Sequence, residues 1–95
     1  MKLTEEQIAL GLAEIEGWKR EDGKWIAKKY RFQTFMDGIE FVNRIAVISE
    51  RLNHHPFISI DYKMVTLRMT SWHAGGLTEL DFTAAAQFNG AFVKD

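Results

Sequence analysis

Two hydrophobic rhythms alternate along the chain, one near 3.6 residues that marks helices and one of two residues that marks strands. Ile8, Leu12 and Ile15 recur at helical spacing, preceded by the capping-box pair Thr4 and Gln7 and followed by Gly17, which offers a left-handed stop. A first helix is therefore expected over about residues 5–16. Trp18 to Glu21 and Lys24 to Phe32 flank Asp22-Gly23, a dipeptide that readily takes positive φ, and this predicts an antiparallel hairpin. In its second strand Ile26, Tyr30 and Phe32 share one face, while Trp25, Lys29 and Arg31 take the other. Thr34 and Asp37 repeat the capping pattern ahead of a long helix with a wide apolar face, built from Phe35, Ile39, Val42 and Ala46 beside Phe41, Ile45, Ile48 and Leu52. Pro56 cannot continue a helix, and the residue before it is driven towards extended geometry, so this element should end near Leu52 or Asn53. Phe57 to Tyr62 and Met64 to Trp72 alternate and predict a second hairpin, with Ile58 and Ile60 on one face of the first strand and Val65, Leu67 and Met69 on one face of the second. After the break at Gly75-Gly76, Thr78 and Asp81 cap a last helix that carries Leu80, Ala84, Ala85, Phe88 and Phe92.

The predicted order is α-β-β-α-β-β-α. Three amphipathic helices must each bury a stripe, and two hairpins must cover one face, so the simplest solution is an α+β fold: one four-stranded antiparallel sheet with three helices packed on one face. Neither a linker nor an internal repeat interrupts the pattern, so residues 1–95 read as a single domain. A formal net charge of −1 provides no long-range field for polyanions, which disfavours nucleic-acid binding. The absence of cysteine excludes disulfides and thiolate chemistry. The start MKLTEEQ lacks the apolar run of a signal peptide and no stretch is long and apolar enough to span a bilayer, so the expectation is a soluble, cytoplasmic protein without a membrane partner.

Candidate chemistry concentrates between Glu50 and Asp81, where all three histidines lie. Glu50 stands four residues before His54, a spacing that puts both on one helical face, and it could orient that ring or hold its proton. His55 follows, directly before Pro56. The plain alternative is that the two histidines cap the helix and tuck against the hairpin. A metal site built from Glu50, His54 and His73 is a weaker rival, because neither a His-x-x-x-His pair nor a cysteine accompanies it. Trp72 offers a flat face for stacking or a piece of core, and Ser71, His73 and Ala74 share its strand end, where free backbone groups can bind the edge of a planar ligand. Asp81 fits a structural role, reaching back to the amides at the start of its helix. Tyr62, at a hairpin bend, is either packing or site wall.

Taken together, Glu50-x-x-x-His54-His55-Pro56, Tyr62, the run Ser71-Trp72-His73-Ala74-Gly75-Gly76-Leu77-Thr78-Glu79 and Asp81 resemble the signature of the pterin-4a-carbinolamine dehydratase family. The resemblance covers essentially the whole chain and agrees with the inferred element order. It implies dehydration of 4a-hydroxytetrahydropterin to quinonoid dihydropterin, which regenerates the pterin after aromatic amino-acid hydroxylation, with no metal or organic cofactor. It implies that His54 is the leading acid/base, that Glu50 tunes or orients it, and that His55 contacts the pterin and shares proton transfer. Pro56 then fixes the start of the next strand, while Ser71, Trp72, His73, Ala74 and Asp81 form the substrate-binding wall. The sequence departs from the family pattern at Trp72, which stands where the animal enzymes carry a third active-site histidine. If the strand continues there, His73 faces the opposite side and cannot simply replace it. The family also implies a homodimer or homotetramer and a functional link to an aromatic amino-acid hydroxylase. One animal member is a dimerisation cofactor of a homeodomain transcription factor, so a weakly active or non-catalytic interaction module is the second reading.

Overall fold

The computed structural model describes residues 1–93 and contains α1 (Glu5–Ala13), β1 (Lys19–Glu21), β2 (Trp25–Arg31), α2 (Phe35–Leu52), β3 (Phe57–Asp61), β4 (Met64–Met69), a 3-10 turn at Trp72–Ala74 and α3 (Glu79–Ala91). The four strands form one antiparallel sheet in the order β1-β2-β4-β3, so each predicted hairpin is present and β2 and β4 meet in the centre.

The first hairpin closes as its sequence demands. Asp22 and Gly23 both have positive φ, 50° and 72°, and with Lys24 they form a three-residue loop that pairs Glu21 with Trp25. β1 begins at Lys19, because Trp18 is withdrawn into the core, where its indole nitrogen donates to Asn89 Oδ1 at 3.1 Å. α1 ends at Ala13, three residues before the predicted stop: Glu14 already donates back to Gly11, yet Ile15 remains buried in the connection.

The three helices cover one face of the sheet. Ile26 and Tyr30 of β2 and Val65, Leu67 and Met69 of β4 point into the same core as Ile8, Phe41, Ile45, Ile48, Ala84, Ala85 and Phe88. Burying each of the Val, Leu, Ile, Met and Phe side chains contributes about 1.5–3 kcal/mol before chain entropy is counted. The apolar face of α2 is wider than this core uses, and Phe35 and Ala46 stay exposed. The opposite sheet face has no helix over it and carries Trp25, Lys29 and Arg31, as the alternation predicts.

Two departures from the predicted elements shape the site. α2 stops at Leu52 because Asn53 takes the left-handed conformation, φ 53°, and its amide donates to Glu50 O while that of His54 donates to Ser49 O. β4 stops at Met69, short of Trp72, because Ser71 and Gly76 pair across a tight loop, with amide–carbonyl distances of 3.2 and 3.3 Å. That pinch curls Trp72–Ala74 into a 3-10 turn, so the expected strand alternation does not govern Trp72 and His73, and both are exposed.

Candidate active site

The left-handed turn at Asn53 swings the chain out of α2, and the two consecutive histidines leave it in different directions. His54 goes inward. Its side chain is about 10% exposed, and its Nε2 lies 2.6 Å from Oδ1 of fully buried Asp81. His55 stays at the surface, 53% exposed, with Nε2 at 2.6 Å from Glu50 Oε2. The i, i+4 expectation that Glu50 serves His54 is therefore corrected: the helix ends before His54, and the turn delivers His55 to Glu50 instead.

Asp81 sits in the first turn of α3, and its carboxylate is held from three sides. Oδ2 accepts the Thr78 amide at 2.9 Å and the Ser71 hydroxyl at 2.8 Å, and Oδ1 faces His54. Because the single proton of Ser71 is directed at Asp81, the Thr78 hydroxyl donates to Ser71 Oγ across 2.9 Å. The predicted capping role of Asp81 is present, and the same carboxylate also fixes a histidine, one oxygen for each task.

An ionised carboxylate only accepts, so both histidines carry their proton on Nε2 and keep Nδ1 as the remaining functional nitrogen. The two pairs differ in setting. Asp81 is removed from water and acts through a short, charge-assisted bond, whereas Glu50 is exposed and its hold on His55 is screened by solvent.

Beside them lies a cleft of about 380 Å³ lined by Asn53, His54, His55, Pro56, Phe57, Thr70, Trp72 and His73. A larger hollow of about 430 Å³ between α1 and α3 is lined by Leu3, Leu10, Phe82 and their neighbours and contains no histidine, so the chemistry singles out the smaller cleft. Ser71 and Asp81 lie behind the wall rather than in it, at 1% and 0% exposure, and Ala74 is on the 3-10 turn outside the lining. Tyr62 is exposed in the β3–β4 turn, φ 54°, at the far end of β3 from Pro56, and is not a wall of this cleft. Glu50, His54 and His73 are not gathered into one ligand set, and among the described residues no three His, Asp or Glu side chains converge as a metal would need. Nor is any helix of the described residues long and apolar enough to cross a membrane.

Asn53, Phe57 and Thr70 are lining residues that the sequence reading did not single out. The parity of β3 carried a signal for Phe57, since it puts Phe57 on the face opposite Ile58. Thr70 is fixed by its hydroxyl, which donates to Lys24 O at 2.6 Å across the sheet, a link that no local pattern reveals.

Comparisons with known proteins bear on the chain as a whole. The profile of the family described as Pterin 4 alpha carbinolamine dehydratase matches residues 1–91. Relatives assigned provisionally as pterin-4-alpha-carbinolamine dehydratases include one of Sulfolobus acidocaldarius, 39% identical over 94% of this chain and 97% of its own length. Another, of Picosynechococcus, is 38% identical over 93% of this chain and 95% of its own. Among solved structures, the transcriptional coactivator/pterin dehydratase of Brucella melitensis superimposes with a TM-score of 0.92 at 29% identity, covering 96% of this chain and 98% of that one. A pterin dehydratase-like protein identified as a RuBisCO assembly factor in the alpha-carboxysome shares the fold alone, with a TM-score of 0.68 at 19% identity over 80% of this chain and 89% of that one. With its profile match, its relatives and its fold in agreement, the chain belongs to the pterin-4-alpha-carbinolamine dehydratase family.

Proposed function

We propose that the protein dehydrates 4a-hydroxytetrahydropterins to quinonoid dihydropterins and so returns an oxidised pterin to the cell's reducing reactions. The observation that carries this reading is the buried His54–Asp81 pair at the wall of a cleft that also holds His55. The reaction removes water. A proton reaches the 4a-hydroxyl, the C4a–O bond breaks with its electron pair leaving on water, N5 loses its proton, and the N5–H bonding pair becomes the second bond of C4a=N5.

Two imidazoles suit these two transfers near neutral pH. His54, its Nε2–H committed to Asp81, takes the N5 proton at Nδ1, and the carboxylate stabilises the imidazolium that forms. His55, held by Glu50, enters as the acid and gives a proton to the departing hydroxyl. Ser71 and Asp81 are positioning residues that act through His54. Trp72 and His73 wall the pterin, and Pro56 holds the chain extended after the histidines. No step requires a metal or an organic cofactor.

Purified protein should speed the loss of freshly generated 4a-hydroxytetrahydropterin well above its spontaneous rate near neutral pH. Dehydration no faster than in buffer would contradict the reading.

Self-association belongs to the same proposal. β3 is an edge strand with all five residues exposed, including the apolar Phe57, Ile58 and Ile60. A second copy of the chain would cover such a surface, and light scattering at micromolar concentration should report a dimer or tetramer; a monomer would argue against it.

A further inference from the structure

The cleft does not end at the histidines. Phe57 and Trp72, which line it, continue into a third ring on the open sheet face: Trp25 of β2 has its centroid 5.1 Å from that of Phe57 and 5.3 Å from that of Trp72, with interplanar angles of 70° and 84°. The guanidinium carbon of Arg68 lies 4.5 Å from the Trp25 ring centroid, and its Nε is tied to Glu21 at 2.6 Å. Three aromatic side chains from β2, β3 and the 3-10 turn thus form a ledge on the face that no helix covers. Sheet stability alone does not account for it, because Trp72 leaves 70% and Phe57 51% of its surface in water.

Past the ledge the same face is basic. Cross-strand partners lie on one side of a sheet, so Lys19, Ala27, Arg68 and Phe57 share this face, as do Lys29 and Arg31 by alternation. Among the described residues of the strands, only Glu21 and Asp61 oppose these four cations there.

We propose that the ledge is a subsite for the substituent on the pterin ring, and that it selects pterins whose substituent is itself an aromatic ring bearing a carboxylate. This rests on the pterin reading of the cleft. With the bicyclic ring beside His54 and His55, a substituent leaving over Phe57 and Trp72 meets Trp25, where an aryl ring gains edge-to-face contacts and a methyl group does not. A carboxylate beyond it enters the field of Arg68 and Lys29, where charge complementarity favours it.

The test is titration calorimetry under anaerobic conditions with 6-methyl-7,8-dihydropterin and 7,8-dihydropteroate, using the parent, Trp25→Ala and Phe57→Ala. In the parent the dihydropteroate binds about five- to tenfold more tightly than the methyl compound. In each variant that ratio falls below about twofold, with circular dichroism of the same sample reporting whether the variant is folded; Trp25 lies outside the cleft lining, so Trp25→Ala also keeps the parent's affinity for the methyl compound. A parent that binds both ligands equally overturns the subsite and leaves the dehydratase reading standing. A parent that binds neither overturns both, and a preference that survives both substitutions shows that the ledge is not its source.

Discussion

His54 Nε2 and Asp81 Oδ1 lie 2.6 Å apart, although they stand 27 positions apart in the chain with two strands and a 3-10 turn between them. The contact joins the end of α2 to the start of α3, and it turns a capping carboxylate into the group that fixes a histidine tautomer.

Replacing Asp81 by Asn keeps the shape and removes the charge. Asn still accepts from one neighbour, but it no longer stabilises an imidazolium at His54, so the dehydration rate should fall by about 10²–10⁴-fold with little change in KM. The separate readout is the His54 ring nitrogens by NMR, where the parent should show the proton on Nε2. An Asp81→Asn protein with the parent's rate and the parent's ring signals would remove Asp81 from the account.

Trp72 is 70% exposed in the lining of the cleft. Trp72→Ala should raise KM about 5- to 100-fold through lost stacking and leave kcat within a few-fold. Trp72→His should keep or raise kcat, because it adds a group able to transfer a proton. Steady-state kinetics of both variants checks this; a collapse of kcat in Trp72→Ala with KM unchanged would mean that Trp72 does something other than bind.

Asn89 is the polar keystone of the core. Its Oδ1 accepts from Trp18 Nε1, from Lys28 Nζ at 2.9 Å and from the Tyr30 hydroxyl, while its Nδ2 donates to Glu16 O at 3.0 Å. Asn89→Ala leaves the buried Tyr30 and Trp18 donors without that acceptor, and urea unfolding should show a loss of about 2–4 kcal/mol. None of these side chains lines the cleft, so turnover per folded molecule should hold.

Tyr30 also sets the alkaline limit. Burial pushes its hydroxyl well above the ordinary tyrosine range. The unfolded chain releases that proton from about pH 10, whereas the folded one retains it, so the stabilisation is complete below pH 10 and declines as pH rises above it. Chemical denaturation at pH 8 to 11 should show this fall in the parent and a shallower one in Tyr30→Phe.

The fold was legible because its signals are local. Asp22-Gly23 dictates a tight turn, Thr4 and Gln7 announce a helix, and Val65, Leu67 and Met69 alternate as a strand with one buried face must. In the candidate site, the neighbourhood of His54, His55, Trp72 and His73 was legible, but the carboxylate partner of each histidine was not. Helical spacing joined Glu50 to His54, yet the left-handed turn at Asn53 falls between them, and three residues of backbone geometry reassign the carboxylate to His55. The end of β4 was missed for a similar reason: the Ser71–Gly76 pairing that curls Trp72 and His73 out of the strand closes across a loop, and alternation describes only what happens within one strand. The ledge depends on the register of β2, β4 and β3, which places Trp25 and Phe57 side by side although 32 positions separate them.

The most direct measurement is dehydration of freshly generated 4a-hydroxytetrahydropterin by the parent and by His54→Ala, followed in stopped flow near neutral pH. The expected result is a parent rate far above the spontaneous one and a loss of about 10²-fold or more in the variant, with folding confirmed by circular dichroism. A folded His54→Ala protein that dehydrates the substrate as fast as the parent would contradict the account at its centre.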